Sequence, residues 1–375
     1  MQELKNYLAI RDYLKTVFLE REKIIDGILI SLLAQENTLL IGPPGTAKSE
    51  LIMTASKCFV GLNYFQWLLT KFTTPEEIFG ALSLKELEQG IYKRNTIGKM
   101  PEAHIGFVDE IFKANSAILN SLLTIINERL FYNNGTPMQT PLMSLIGASN
   151  EFPEDDEGLE ALDDRFMTRF MVDYIKEDSS LLSLLKNKSV APKISAVPMI
   201  SGKEVITLQN AAKQVSVSAG VLDTMMLIKT DLAKEGINPS TRRWVKCINI
   251  IKATALMDNC NTADTTHLSC LKNVLWLRPE EEKLVAAIVA NYCVDRFTSQ
   301  LENFTNMAKS IKNTAIQAKT ANNATEGIAK LKEICNELNQ LKGQYPNKQA
   351  AIDTLLTNIE SYKKEIVHVC MGIDI

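Results

Sequence analysis

The sequence predicts an α/β core in which a parallel sheet lies between helices, followed by an all-α region and a C-terminal helical bundle. Three observations predict it. Up to about residue 176, short apolar segments alternate with amphipathic ones. From about 177 to 280 the pattern is mostly helical. From 281 onward apolar residues recur at alternating spacings of three and four, as in a coiled coil.

In the first region, Asn37 to Ile41, Asn63 to Leu68, Ile105 to Val108, Met143 to Ala148 and Phe170 to Ile175 read as strands. They are short, apolar on both faces and bounded by Gly, Pro, Asn or charge, which suits a parallel sheet covered on both sides. Asn115 is placed to cap a helix over Ser116 to Arg129, whose Ile118, Leu119, Leu122, Leu123 and Ile126 share one face. Asn134-Gly135 signals a hairpin turn within Tyr132 to Pro141. The second region opens on a loose stretch, Lys186 to Lys203, with Pro192, Pro198 and Gly202. Helices follow at about 219–234, 240–258 and 264–277, the middle one announced by Pro239-Ser240. The third carries the stripe Val294, Phe297, Leu301, Phe304, Ala308, Ile311, Ala315 and Ala318. Breaks at Asn322-Asn323 and Gly343 to Asn347 divide it into three antiparallel helices. The expected domains are thus 1–176, 177–280 and 281–375. Two readings of the last stay open, a packed appendage and a docking arm for partners or neighbouring subunits.

Composition narrows the function. Apolar types make up 46% of 375 residues, enough for a sizeable core. A net charge of −3 argues against bulk phosphate binding and makes nucleic acid an unfavoured partner. Seven scattered cysteines without a Cys-x-x-Cys pair suit reduced thiols in the cytoplasm. Glu3, Lys5, Arg11, Asp12 and Lys15 interrupt any signal-peptide pattern, and no apolar run approaches the ~18 residues of a membrane span.

The strongest motif is Gly42-Pro43-Pro44-Gly45-Thr46-Ala47-Lys48-Ser49, directly after the strand ending at Ile41 and before a helical run. Strand, glycine-containing loop and helix in that order form a phosphate-binding P-loop. Backbone N–H groups and the helix N-terminus wrap phosphates. Lys48 reaches the β and γ oxygens of ATP, and Ser49 ligates Mg²⁺. Ala47 stands where a glycine usually precedes the lysine. Next to a helix start it is expected in the right-handed region, where Ala is tolerated.

His104-Ile105-Gly106-Phe107-Val108-Asp109-Glu110 is an apolar strand ending in two carboxylates. Asp109 suits a Mg²⁺ carboxylate beside the P-loop, and Glu110 suits orienting and polarising the attacking water. Asn150, after the next strand, is positioned to hydrogen-bond both γ-phosphate and water. Arg165 and Arg169 are candidates for a cation reaching a neighbouring subunit's γ-phosphate, with Arg165 favoured and a structural salt bridge the alternative for either. Arg242 and Arg243 open the helix after Ser240; Arg242 is expected to face the nucleotide from the lid, with Arg243 structural.

These residues resemble the MoxR branch of AAA+ ATPases. So do Phe72-Thr73-Thr74-Pro75-Glu76-Glu77-Ile78-Phe79-Gly80 and Leu119-Asn120-Ser121-Leu122-Leu123-Thr124-Ile125-Ile126-Asn127-Glu128-Arg129. Within that branch, Ala148-Ser149-Asn150-Glu151 and Ser240-Thr241-Arg242-Arg243-Trp244 are most similar to the RavA-type subgroup. The resemblance covers about residues 1 to 280. It implies an α/β P-loop AAA+ core with an all-α lid, an extra hairpin inserted in the helix after the second strand, at about Leu82 to Lys99, and an adenine pocket around Arg21 to Ile25. It further implies a ring, usually a homo-hexamer, with the finger acting in trans. Family members are chaperone-like remodellers of protein substrates, often beside a protein with a von Willebrand factor A domain. The β-rich domain of RavA-type chains has no counterpart after residue 280, so the partner reached through it is not carried over. The resulting expectation is ATP hydrolysis coupled to remodelling. A nucleic-acid-linked translocase and a nucleotide-gated switch without significant turnover are the alternatives.

Overall fold

Five strands build the central sheet: β1 (Asn37–Ile41), β2 (Tyr64–Leu68), β3 (Ile105–Asp109), β4 (Ser144–Ser149) and β5 (Phe166–Met171). Their spatial order is β2-β3-β4-β1-β5, and every pairing is parallel. The structure is a computed structural model describing residues 1–375 except 153–156, 190–196, 294–295, 319–320, 345–348 and 372–375. It divides into two compact units, Met1–Cys293 and Val294–Ile375.

β1 is buried along its whole length and paired on both edges. Its two polar residues therefore need partners inside the protein. The Asn37 side chain accepts from the Leu145 N–H (3.0 Å) and donates to the Arg165 carbonyl (3.2 Å). The Thr38 hydroxyl pairs with that of Thr168 (2.8 Å), which in turn pairs with Ser31 (2.7 Å). The helix Glu22–Ala34 can lie close over β5 because Gly27 has no side chain. A Cβ there would sit 1.9 Å from the Phe170 ring.

The last strand begins four residues before the expected Phe170 to Ile175. Thr168 and Arg169 precede the expected strand, yet both are buried and find partners inside the protein, although Arg169 Nε has none. The Arg169 guanidinium donates to the carbonyls of Trp276 (3.3 Å), Leu277 (2.9 Å) and Asp163 (3.1 Å), and pairs with the Asp163 carboxylate (2.7 Å). Elsewhere the pattern holds. Asn115 caps Ser116–Glu128 by accepting from the Ile118 N–H (3.1 Å). Leu130–Asn133 and Thr136–Gln139 form a hairpin whose turn residues Asn134 and Gly135 have φ of 53° and 72°. The hairpin expected as an insert at about Leu82 to Lys99 is instead a short helix, Leu84–Leu87, closed by one antiparallel bridge between Leu82 and Arg94.

The helical region contains Ala219–Lys234 and Thr241–Met257 as anticipated, the second capped by Ser240 accepting from the Arg243 N–H (3.1 Å). The expected helix at 264–277 is instead a 3₁₀ segment, Thr265–Asn273. The stretch Lys186 to Lys203 is helical at both ends, in Asp178–Ser189 and Gly202–Gln214; residues 190–196 between them, including Pro192, lie outside the described residues. Helix Glu282–Tyr292 buries Val285, Ile288 and Val289 in the core of the first unit, which extends to Cys293 rather than ending at 280. Its apolar spacing alone could not distinguish those two assignments.

The second unit consists of Arg296–Ala318, Ala321–Gln344 and Gln349–Met371 packed pairwise around Leu331, Leu338, Ile352, Ile359 and Ile366. Asn322-Asn323, expected to break the chain, lies in the first turn of the second helix. Of the other expected break, Gly343 is still helical, and residues 345–348 lie outside the described residues. Among the described residues no helix is long and apolar enough to cross a membrane.

Arg243 joins the lid to the core. Fully buried, it donates to the carbonyls of Met167 (3.1 Å), Phe166 (3.0 Å) and Val274 (2.9 Å). Burial, aided by nearby Arg169, pushes its pKa down to about 10, so it stays cationic at neutral pH. The adjacent Arg242 is half exposed and reaches Asp164 at 3.5 Å. Arg243→Met should therefore lose about 3 kcal/mol of stability in urea denaturation, by stranding buried carbonyls and Asp164. Arg242→Met should lose less than about 0.5 kcal/mol. Equal losses would contradict this division of labour.

Candidate nucleotide site

Because β1, β3 and β4 are parallel and adjacent in the sheet, their carboxyl ends lie along one edge. The P-loop follows β1, Asp109 and Glu110 end β3, and Asn150 follows β4. Ligands of open α/β sheets sit at this edge. Gly42 is required there by close approach: its N–H donates to the Ser149 carbonyl (3.0 Å), and a Cβ would lie 2.0 Å from the Val172 carbonyl oxygen.

The loop then turns through two left-handed residues, Gly45 (φ 79°) and Ala47 (φ 64°). Ala47 is thus not in the right-handed region expected from its neighbouring helix. It is the N-cap of Lys48–Ser56, half a step outside the helix, and the chain reverses hand at that residue. Left-handed backbone with a Cβ costs roughly 1 kcal/mol. Thr46 braces the turn by donating to the Pro43 carbonyl (3.0 Å).

Lys48 is almost fully buried. Its ammonium donates to the carbonyls of Gly42 (2.6 Å) and Pro43 (3.0 Å), and to Asn150 Oδ1 at 3.4 Å. Burial lowers its pKa, while Asp109 and Glu110 act to raise it. The Ser49 hydroxyl donates to Asp109 Oδ2 (3.3 Å), and Asp109 Oδ1 accepts from the Glu110 N–H (3.0 Å). Glu110 is itself left-handed (φ 54°), and its Oε1 accepts from the Asn150 side-chain amide. A single network therefore joins Lys48, Ser49, Asp109, Glu110 and Asn150. Ser49 and Asp109 offer hard oxygen donors, the chemistry that suits Mg²⁺.

Beside the loop is a mostly apolar cavity of about 450 Å³, lined by Phe18, Leu19, Ile175, Leu181 and Leu184 together with Gly45, Thr46 and Ala47. Arg21 contributes from the expected adenine segment. Two contacts that the sequence did not signal hold its far wall. Glu20 accepts from the N–H groups of Lys176 (2.8 Å) and Glu177 (3.0 Å), which lowers its pKa, and the Tyr174 hydroxyl donates to the Pro44 carbonyl (3.2 Å). Each joins residues more than a hundred positions apart, so no local pattern reveals it.

Arg165 and Arg242 are brought together, but not at this edge. Arg165 immediately precedes β5, whose first residue Phe166 pairs with Asn37 at the opposite end of β1 from the P-loop. Both guanidinium groups reach the same Asp164 carboxylate, at 3.4 and 3.5 Å. Arg242 therefore does not face the P-loop of its own chain, as had been expected from the lid. Burial lowers the Arg165 pKa, and Arg242 lowers it further. Arg169 and Arg243 are buried in backbone contacts.

Comparison with known proteins agrees with this architecture. Residues 3–210 match the family described as the MoxR domain in the MoxR-vWA-beta-propeller ternary systems, and residues 220–289 match an AAA lid domain. An uncharacterised protein of Methanocaldococcus jannaschii is 42% identical over 72% of this chain and 72% of its own. Chaperone MoxR1 of Mycobacterium tuberculosis is 24% identical over 57% of this chain and 56% of its own. A crystal structure from Cytophaga hutchinsonii shares the fold with a TM-score of 0.63 at 18% identity, covering 77% of this chain and 94% of that one. The chain belongs to the MoxR family of AAA+ ATPases, as a MoxR domain followed by an AAA lid.

Proposed function

We propose that this chain hydrolyses ATP and uses the cycle, as a ring of identical subunits, to remodel a protein partner. Family membership implies nucleotide binding and hydrolysis. The convergence of Lys48, Ser49, Asp109, Glu110 and Asn150 at one sheet edge carries the finer reading. In it, the loop Gly42 to Ser49 holds the triphosphate with N–H groups and the Lys48 ammonium. Asn150 hydrogen-bonds the γ-phosphate and fixes the Glu110 carboxylate, which accepts a proton from the attacking water. Ser49 and Asp109 would hold Mg²⁺, which when bound neutralises phosphate charge.

Arg165 and Arg242 stand a strand's length from the P-loop of their own chain, about 13 Å for five residues. This separation supports action in trans on a neighbouring subunit's nucleotide, as the expected hexamer requires. The partner is proposed to be a von Willebrand factor A domain protein, with a β-propeller protein alongside, because the matched family is named for such ternary systems. The RavA-type likeness rests on Ala148 to Glu151 and Ser240 to Trp244 and adds no partner.

Purified Glu110→Gln should bind nucleotide as wild type does while its phosphate release falls by about 10²-fold or more. Unchanged release would remove Glu110 from the mechanism. Mixing Arg165→Ala with Lys48→Ala subunits should restore part of the turnover lost in each; no restoration would count against action in trans. At Ala47, Gly should keep nucleotide affinity within about threefold, because it relaxes the left-handed backbone. Val should weaken it by at least about tenfold, since β-branched residues resist that conformation. A fluorescent-nucleotide titration distinguishes the two variants.

A further inference from the structure

We propose that Lys113 is a positioning residue that sets the orientation of the Glu110 carboxylate for water activation. The proposal rests on the reading of Glu110 given above and adds a second anchor to it. Glu110 caps a 3₁₀ turn, Ile111–Lys113, closed by the Lys113 N–H donating to the Glu110 carbonyl (2.9 Å). A 3₁₀ helix has three residues per turn, so side chains at i and i+3 eclipse. The turn therefore brings the Lys113 ammonium over the Glu110 carboxylate, with Nζ 3.2 Å from Oε2.

The other oxygen, Oε1, is held by Asn150 from the end of β4. One hydrogen bond leaves the carboxylate plane free to swing about that oxygen. A second contact, from a different element, fixes the plane. Glu110 is enclosed, at 11% side-chain exposure, whereas Lys113 at 52% reaches in from solvent. Such a half-exposed ion pair contributes little to stability. Its consequence is instead geometric, and reacting groups are sensitive to small misplacements. The other charged groups associated with Glu110 are Lys48 from the P-loop helix and Asp109 from its own strand, and both face the phosphate and metal positions. Lys113 touches neither the P-loop nor the base cavity in the contacts of the described residues.

The test compares steady-state ATP turnover and fluorescent-ATP affinity for the full chain as wild type, Lys113→Met, Lys113→Arg and Glu110→Gln. Lys113→Met should lower kcat about tenfold with KM and nucleotide affinity within about twofold of wild type. Lys113→Arg, which keeps the cation, should recover at least half of the lost kcat. The proposal is overturned by a Lys113→Met kcat within twofold of wild type, by a loss matched by equally weakened nucleotide binding, or by Lys113→Arg being no better than Lys113→Met. Glu110→Gln separates the two levels. Full turnover in that variant removes the Glu110 reading itself, whereas lost turnover there with an unaffected Lys113→Met rejects only the role of Lys113.

Discussion

The parallel pairing of β1 with β4 and β5, whose register against β5 shifts between Asn37 and Thr38, is the constraint from which the rest of the molecule follows. Thr38 aligns with Ile146 on one side and Thr168 on the other, and Ile41 aligns with Ser149 and Met171. A slip of one residue would turn the Thr38 hydroxyl away from Thr168 and leave that buried oxygen unpaired. It would also separate the Gly42 N–H from the Ser149 carbonyl, and with it the P-loop from Asn150. Polar residues inside an otherwise apolar strand thus fix register, and register places catalytic candidates from three separate strands within one hydrogen-bonded network.

Which features were legible in the sequence follows from the range of the interactions that create them. β1, the Asn115 cap and the Asn134-Gly135 hairpin depend on neighbours a few residues away, and periodicity or turn chemistry reveals them. The P-loop segment and the Asp109-Glu110 strand end stood out because the chemistry expected of a phosphate site calls for particular residue types at particular spacings. β5 was displaced because Thr168 and Arg169 look solvated until the helix over the sheet and the segment around Trp276 supply their partners. Ala47 misled for another reason. Its hand is set by the path of the loop from Gly42 to Lys48, so proximity to a helix was no guide. Lys113 was overlooked because an i,i+3 relation brings a pair face to face in a 3₁₀ turn that the sequence did not announce.

The four arginines near β5 separate into two physical classes. Arg169 and Arg243 have no exposed side-chain surface and direct their terminal N–H groups mainly to carbonyls at the joint between sheet and lid, while the Nε of each has no hydrogen-bond partner. Planar guanidinium groups suit this task, since several donors can satisfy carbonyls converging from different segments. Arg165 and Arg242 retain solvent access and share one carboxylate. Spacing in sequence could not sort the pairs, because each class contributes one residue to Arg165/Arg169 and one to Arg242/Arg243.

That sharing bears on the proposed ring. The guanidinium groups of Arg165 and Arg242, with buried Arg243 at 3.7 Å, face the single Asp164 carboxylate and leave an excess positive charge, and Arg165 Nε is buried without a hydrogen-bond partner. Like charges held together in a partly desolvated setting repel, and an added anion relieves both the repulsion and the unmet donor. The P-loop of the same chain lies beyond the other end of β1, farther than a flexible arginine side chain extends. In the proposed ring, a triphosphate presented by a second subunit would satisfy both conditions. In the proposed ring, the same cluster would couple the lid, which carries Arg242, to the core, which carries Arg165, when a neighbour's nucleotide binds. Hydrolysis would then remove that anion's γ charge and loosen the lid from the core through Asp164, the physical route from chemistry to movement that the proposed function needs.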